Sequence, residues 1–77
     1  MLILSDARLT ILKPGTVRFE GRFIPHRVRI LHFVQELGLA RGSVRRRFGR
    51  LVFSREFDDS ARQRFRNFLA AECPMKD

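Results

Sequence analysis

Two turn signals, each flanked by residues that alternate in polarity, constrain this chain more than any other feature. The first is Lys13-Pro14-Gly15-Thr16. Proline sets φ at the second turn position and glycine takes a positive φ at the third, so the four read as a type II turn. Residues 9–13, Leu-Thr-Ile-Leu-Lys, have strand chemistry, and Thr16-Val17-Arg18-Phe19-Glu20 alternates with period two. Together they predict a β-hairpin. The second signal is Gly49-Arg50, a Gly-X pair suited to a type II′ turn, lying between residues 44–48 and 51–55. That turn predicts a second hairpin with Phe48 opposite Leu51, Arg46 opposite Phe53 and Val44 opposite Arg55. Apolar residues dominate this inner face, while Arg45, Arg47, Val52 and Ser54 take the other. A slip of one residue would exchange the two faces.

Between and after the hairpins the period changes to that of a helix. Pro25 suits a first helical turn, where its missing N–H costs nothing. Ile30, Leu31, Phe33, Val34 and Leu37 then share one broad stripe, Val28 falls off it, and Arg29, His32 and Glu36 take the opposite face. Gly38 is a natural stop. Asp58 or Asp59 caps a last helix, whose stripe is Ala61, Phe65, Phe68 and Leu69, and Pro74 ends it. The expected fold is therefore α+β: one domain over residues 1–77, an antiparallel sheet with two helices on one face, in the order β-β-α-β-β-α. Residues 1–8 are an extra strand or an arm, and 73–77 a frayed tail. A chain of 77 residues buries only about 60% of its unfolded surface, so its core is thin. Eight phenylalanines fill that core without any Trp or Tyr. Phe33, Phe48, Phe53, Phe65 and Phe68 are assigned to it. Phe19, Phe23 and Phe57 are left open, and any that stays exposed marks a protein interface.

Charge narrows the function to binding. Sixteen basic residues face eight acidic ones, for a net charge of +8, and Lys13 and Lys76 are the only lysines. Arginine forks onto phosphates and carboxylates, so the chain should attract polyanions. Catalytic chemistry needs a nucleophile beside a base, paired carboxylates or converging metal ligands. The sequence has His26 and His32 alone, six residues apart, and no zinc, phosphate-loop or dinucleotide motif. His32 and Glu36 are spaced to share a helix face, but two ligands do not make a zinc site. No catalytic residue, metal, cofactor or small-molecule substrate is expected. Cys73 is a lone cysteine, so there is no internal disulfide and the chain suits a reducing, cytoplasmic compartment. No apolar run reaches membrane-spanning length. Met1-Leu-Ile-Leu is too short for a signal-peptide core, and Asp6 interrupts it.

The candidate binding residues are arginines. Arg45 and Arg47 alternate onto one strand face, about 6.5–7 Å apart and near the spacing of successive phosphates, with Arg46 on the other face. Arg50 at the hairpin tip and Arg41 just before the strand extend the row. On the last helix Arg62 and Arg66 are neighbours and assist. Their mutual repulsion, a few tenths of a kcal/mol, calls for partners, and Glu56, Asp58 and Asp59 are close enough in sequence. The expected function is sequence-nonspecific binding of RNA or DNA through Arg41, Arg45, Arg47, Arg50, Arg62 and Arg66. The alternative for the strand arginines is a solvated face that discourages aggregation. A protein partner or homodimer is the alternative function, and docking on an anionic membrane surface is the third.

The order of motifs also resembles a family of small uncharacterised bacterial domains of unknown function. The likeness rests on Gly21-Arg22-Phe23-Ile24-Pro25 as a helix start, Leu51-Val52-Phe53-Ser54 closing a hairpin, and Arg62-Gln63-Arg64-Phe65-Arg66-Asn67 on the last helix. It covers roughly residues 9–70. The chain has an extra residue in the first motif and Phe57-Asp58 where the family commonly has Ile-Pro. Family members often carry an N-terminal membrane helix, which this sequence does not. No activity is attached to the family, so the resemblance implies a fold and not a function.

Overall fold

The computed structural model describes residues 6–47 and 49–74. Strands β1 (Ala7–Lys13) and β2 (Thr16–Gly21) form the first hairpin, and a 3₁₀ turn at Ile24–His26 leads into helix α1 (Arg27–Leu37). Strands β3 (Gly42–Arg47) and β4 (Arg50–Phe53) form the second hairpin, followed by helix α2 (Asp59–Glu72). The fold is α+β in the expected order. The four strands lie in the order β2-β1-β3-β4, antiparallel at every pairing. β2 and β3 consequently run parallel with β1 between them, and α1 makes the crossover.

The turns explain the registers. Gly15 has φ 80°, as a type II turn requires at its third position. Type II turns match hairpin twist poorly, and the pairing adjusts by shifting between Ile11–Val17 and Lys13–Thr16. An extra residue on one strand adds twist where the turn does not supply it. The second hairpin differs from expectation. Arg47 pairs with Arg50, Arg46 with Leu51 and Val44 with Phe53, so Arg50 belongs to the strand and not to the connection. Gly49 takes its positive φ of 78° in that connection. The change sets Val44 against Phe53 in place of Arg55, joining two apolar side chains across the strands. Because the register moves by two residues, the faces are unchanged. Phe48, residues 1–5 and residues 75–77 of the expected tail lie outside the described residues; Ala7 and Arg8 begin β1, and Cys73 is buried at the end of α2 rather than frayed.

Both helices cover one sheet face. Ala7, Leu9 and Ile11 of β1 and Val44 of β3 are buried against Ile30 and Val34 of α1 and Phe65 and Leu69 of α2. Val28, the residue off the stripe, is exposed. Asp58 is the cap of α2, its Oδ1 accepting the Ala61 N–H at 2.7 Å. The connectors hold what periodicity left open: Phe23 and Phe57 are both fully buried. Phe57 meets Phe65 edge to face at 6.1 Å and Phe53 at 5.1 Å, while Phe33 stacks on Phe68 at 4.3 Å. These rings close the core around Phe65.

One charged side chain is buried with them. Arg46 alternates onto the inner face and is only 6% exposed. Its Nη1 donates to Oδ2 of Asp6, which also accepts from Arg22 at 3.4 Å. Two backbone bonds support this clamp: the Asp6 N–H donates to the Arg46 carbonyl at 3.0 Å, and the Arg22 N–H to the Asp6 carbonyl at 2.9 Å. One carboxylate thus joins the start of β1 to β3 and to the residue after β2. Breaking a buried pair by removing one partner costs about 3–5 kcal/mol, whereas an apolar replacement of the buried charge costs far less. The Asp6 side chain is 39% exposed, so Asp6→Ala is expected to lower stability by about 2 kcal/mol, less than for a fully buried pair. Arg46→Met is expected to lose less than Asp6→Ala in urea denaturation. The reverse order would show that the carboxylate does not compensate the buried guanidinium.

Candidate nucleic-acid interface

The helices leave the other face of the sheet uncovered, and strand alternation decides what stands on it. With Ala7, Leu9 and Ile11 turned inward, Arg8 and Thr10 face out. The register then lines up Glu20, Arg8, Arg45 and Val52 as a row crossing all four strands. The next row holds Arg18, Thr10 and Ser43. Toward the second hairpin loop, Arg47 stands opposite Arg50. Arg8, Arg18, Arg45, Arg47 and Arg50 therefore share one surface, with Glu20 as the acidic residue of its ladder positions.

Two pairs on this surface set like charges directly across from each other: Arg8 with Arg45, and Arg47 with Arg50. Opposed like charges destabilise a sheet, and the one acidic ladder residue of this face, Glu20 across from Arg8, forms no ion pair with these arginines. The ion pairs among the described residues are Arg22–Asp6, Arg29–Glu72 and Arg46–Asp6, none of which touches the outer face. Arg45 and Arg47 are half-buried by their neighbours, which holds their stems in place, while Arg8, Arg18 and Arg50 are exposed.

The six arginines singled out from the sequence separate in space. Arg45, Arg47 and Arg50 come together. Arg66 is on α2, against the inner face, with its guanidinium 5.2 Å from the centre of the Phe53 ring. It reaches the edge of the sheet nonetheless, because Arg50 and Arg66 line one cavity of about 680 Å³ between β4 and α2, floored by Leu51, Leu69 and Cys73. Arg62 is half-buried, and its Nε lies buried without a hydrogen-bond partner. Neither arginine makes an ion pair with Glu56, Asp58 or Asp59. Arg41 lies at the opposite end of β3, where Glu56 is its counter-charge.

Sequence reasoning missed Arg8 and Arg18. Arg18 already alternated out of phase with Val17 and Phe19, so its face was legible but not its neighbours. Arg8 lay in a segment with no turn signal to set its phase. Burial pushes the Cys73 thiol pKa up, which keeps it protonated and unreactive at neutral pH. Among the described residues no three potential metal ligands converge, and no helix is long and apolar enough to cross a membrane. No protein-family model, curated protein or solved structure matches the chain, so its function must be argued from its own residues.

The end of β3 near Arg41 has its own electrostatics. A hydrogen bond from Ser54 holds the Glu56 carboxyl below the usual carboxylate range, helped by its own backbone N–H and by the charges of Arg55 and Arg41. A lowered folded pKa favours the fold above the ordinary carboxylate value, and that contribution fades as pH falls through the folded value. Ser54→Ala is expected to move the Glu56 titration upward in a carboxyl-carbon NMR titration. An unchanged midpoint would mean that its own backbone N–H and the arginines set it without Ser54.

Proposed function

We propose that this protein binds the phosphate backbone of RNA or DNA on the outer face of its sheet, without choosing a base sequence. The observation that carries this reading is the excess of arginine on a face that neither described helix covers: Arg8 stands directly opposite Arg45 and Arg47 opposite Arg50, with Glu20, across from Arg8, as the one acidic residue of the ladder. Within a strand the arginines repeat at about 6.5–7 Å, and between strands at about 5 Å, so the face offers a grid in place of a single row. A phosphate chain laid across it relieves the repulsion and releases its own condensed counterions. Arg8, Arg45 and Arg47 form the centre. Arg18 and Arg50 flank it, and Arg66 continues the positive charge round the β4 edge. Arg62, on α2, and Arg41, at the far end of β3 beside Glu56, are not assigned to it. Among the described residues the face presents no aromatic ring on which a base could stack, which favours backbone tracking over single-strand base recognition.

The test is fluorescence anisotropy with labelled RNA, single-stranded DNA and duplex DNA across a salt series. Each lost phosphate contact lowers the slope of log K against log salt by roughly 0.9 on duplex DNA. Arg45→Ala/Arg47→Ala is therefore expected to flatten that slope by roughly 2 and to weaken binding similarly for all base sequences. The charge-matched control Arg27→Ala/Arg64→Ala, on the helices, is expected to retain most of the affinity. Binding that ignores salt, selects a base sequence or falls equally in the control would overturn the assignment.

A further inference from the structure

Among the described residues the sheet has two free edges, and they differ in what they offer a partner. β4 is four residues long, carries no acidic residue, and has Arg66 standing over Phe53 beside it. A second copy approaching there meets only like charge, which is how edge strands are kept from pairing. β2 is six residues long and reads Thr16-Val17-Arg18-Phe19-Glu20-Gly21. The Arg22 N–H bond to the Asp6 carbonyl sets the phase of the ladder. In that phase Arg18 and Glu20 direct their backbone groups at β1, while Val17 and Phe19 direct theirs out of the sheet.

We propose that two copies of this chain pair antiparallel along β2, about a two-fold axis through Phe19. In this register Phe19 faces Phe19 of the second copy, and Val17 faces Gly21. Both are hydrogen-bonded positions, so the outward backbone groups find partners. Arg18 faces Glu20 of the second copy, and symmetry repeats the contact. These are the non-hydrogen-bonded positions, where opposed residues approach to about 4.5 Å between Cα atoms and side chains lie closest. Arg18 and Glu20 are both exposed, and neither has an ion pair within the described protein.

The same charges exclude the neighbouring registers. Shifting the two-fold axis to Arg18 sets arginine against arginine, and shifting it to Glu20 sets glutamate against glutamate. Odd shifts would turn the outer face of one copy against the inner face of the other. Apolar surface adjoins this edge as well. The 3₁₀ turn packs against β2, and Ile24 on that turn and Val28 on the first turn of α1 are 43% and 62% exposed. Pairing at β2 also joins the two outer faces into one continuous sheet surface, with Arg8 and Arg45 of both copies on the same side.

Light scattering on the eluting protein, without nucleic acid, tests this from low-micromolar to millimolar concentration. The mass is expected to rise from 9.1 kDa to twice that value. Arg18→Glu and Glu20→Arg, each shown to be folded by circular dichroism, are expected to stay monomeric because each opposes like charges. An equimolar mixture of the two variants is expected to dimerise, since the acidic edge of one complements the basic edge of the other. The double variant Arg18→Glu/Glu20→Arg is expected to dimerise alone. A wild type that stays monomeric at millimolar concentration would overturn the proposal. So would single variants that remain dimeric, or monomeric variants whose mixture does not associate. Arg45→Ala/Arg47→Ala is expected to leave the mass unchanged, which separates this result from that of the nucleic-acid measurement.

Discussion

A guanidinium in a small core is tolerable only if something opposes its charge, and much of this structure is arranged around that requirement. Arg46 is buried because β3 alternates: Val44 must reach the core, and Arg46, two residues on, follows it inward. Asp6 supplies the opposing carboxylate. Through it the start of β1, the end of β3 and the residue after β2 are held together. Strand order and charge compensation are therefore coupled. If β1 did not lie beside β3, Arg46 would lose the Asp6 carboxylate, and breaking a buried pair of this kind costs several kcal/mol.

The same alternation has the opposite consequence one residue away on either side. Arg45 and Arg47 point out of the core because Arg46 points in. β1 obeys the same rule, with Leu9 inward and Arg8 outward, and pairing β1 to β3 brings Arg8 to Arg45. The basic face is thus the reverse side of the core and needs no further device to assemble it. What distinguishes it from an ordinary solvated face is the excess of arginine: Arg8, Arg18, Arg45, Arg47 and Arg50 stand on it with Glu20 as the one acidic ladder residue. Other acids of this chain are used elsewhere: Asp6 on Arg46, Asp58 on the end of α2, Glu72 near Arg29, and Glu56 near Ser54 and Arg41. A folded domain with its acids so placed has positive charge to spare on one side, and a polyanion is the natural complement.

The thin core shapes the remaining surfaces. Phe65 is surrounded by Phe33, Phe53, Phe57 and Phe68, so much of the buried volume is aromatic ring. Arg66 covers Phe53 at one margin and Arg64 approaches Phe33 from another, so arginine stems and guanidinium planes shield apolar rings that a larger domain would bury outright. That arrangement blunts the β4 edge. Among the described residues nothing comparable covers β2, and a second copy is the partner its charge order fits.

The element types, their order, the two hairpins, an aspartate cap at Asp58 or Asp59 and the opposition of Arg46 to Arg45 and Arg47 were legible in the sequence. Each depends on local geometry, namely the period of a strand or helix and the φ that a turn or cap demands. Even the misread hairpin loop kept its faces, because a shift of two residues preserves alternation. Three things were decided only in the folded chain. Phe23 and Phe57 are core residues because connectors cross the open ends of the sheet, where no period exists to reveal burial. Arg8 and Arg18 join Arg45 because β1 takes a central place in the sheet, and pairing between strands distant in sequence leaves no local mark. Arg62 parts from the outer face because both helices pack on one side. A strand's alternation says which residues share a face, but only the packing of the strands says which faces become one surface.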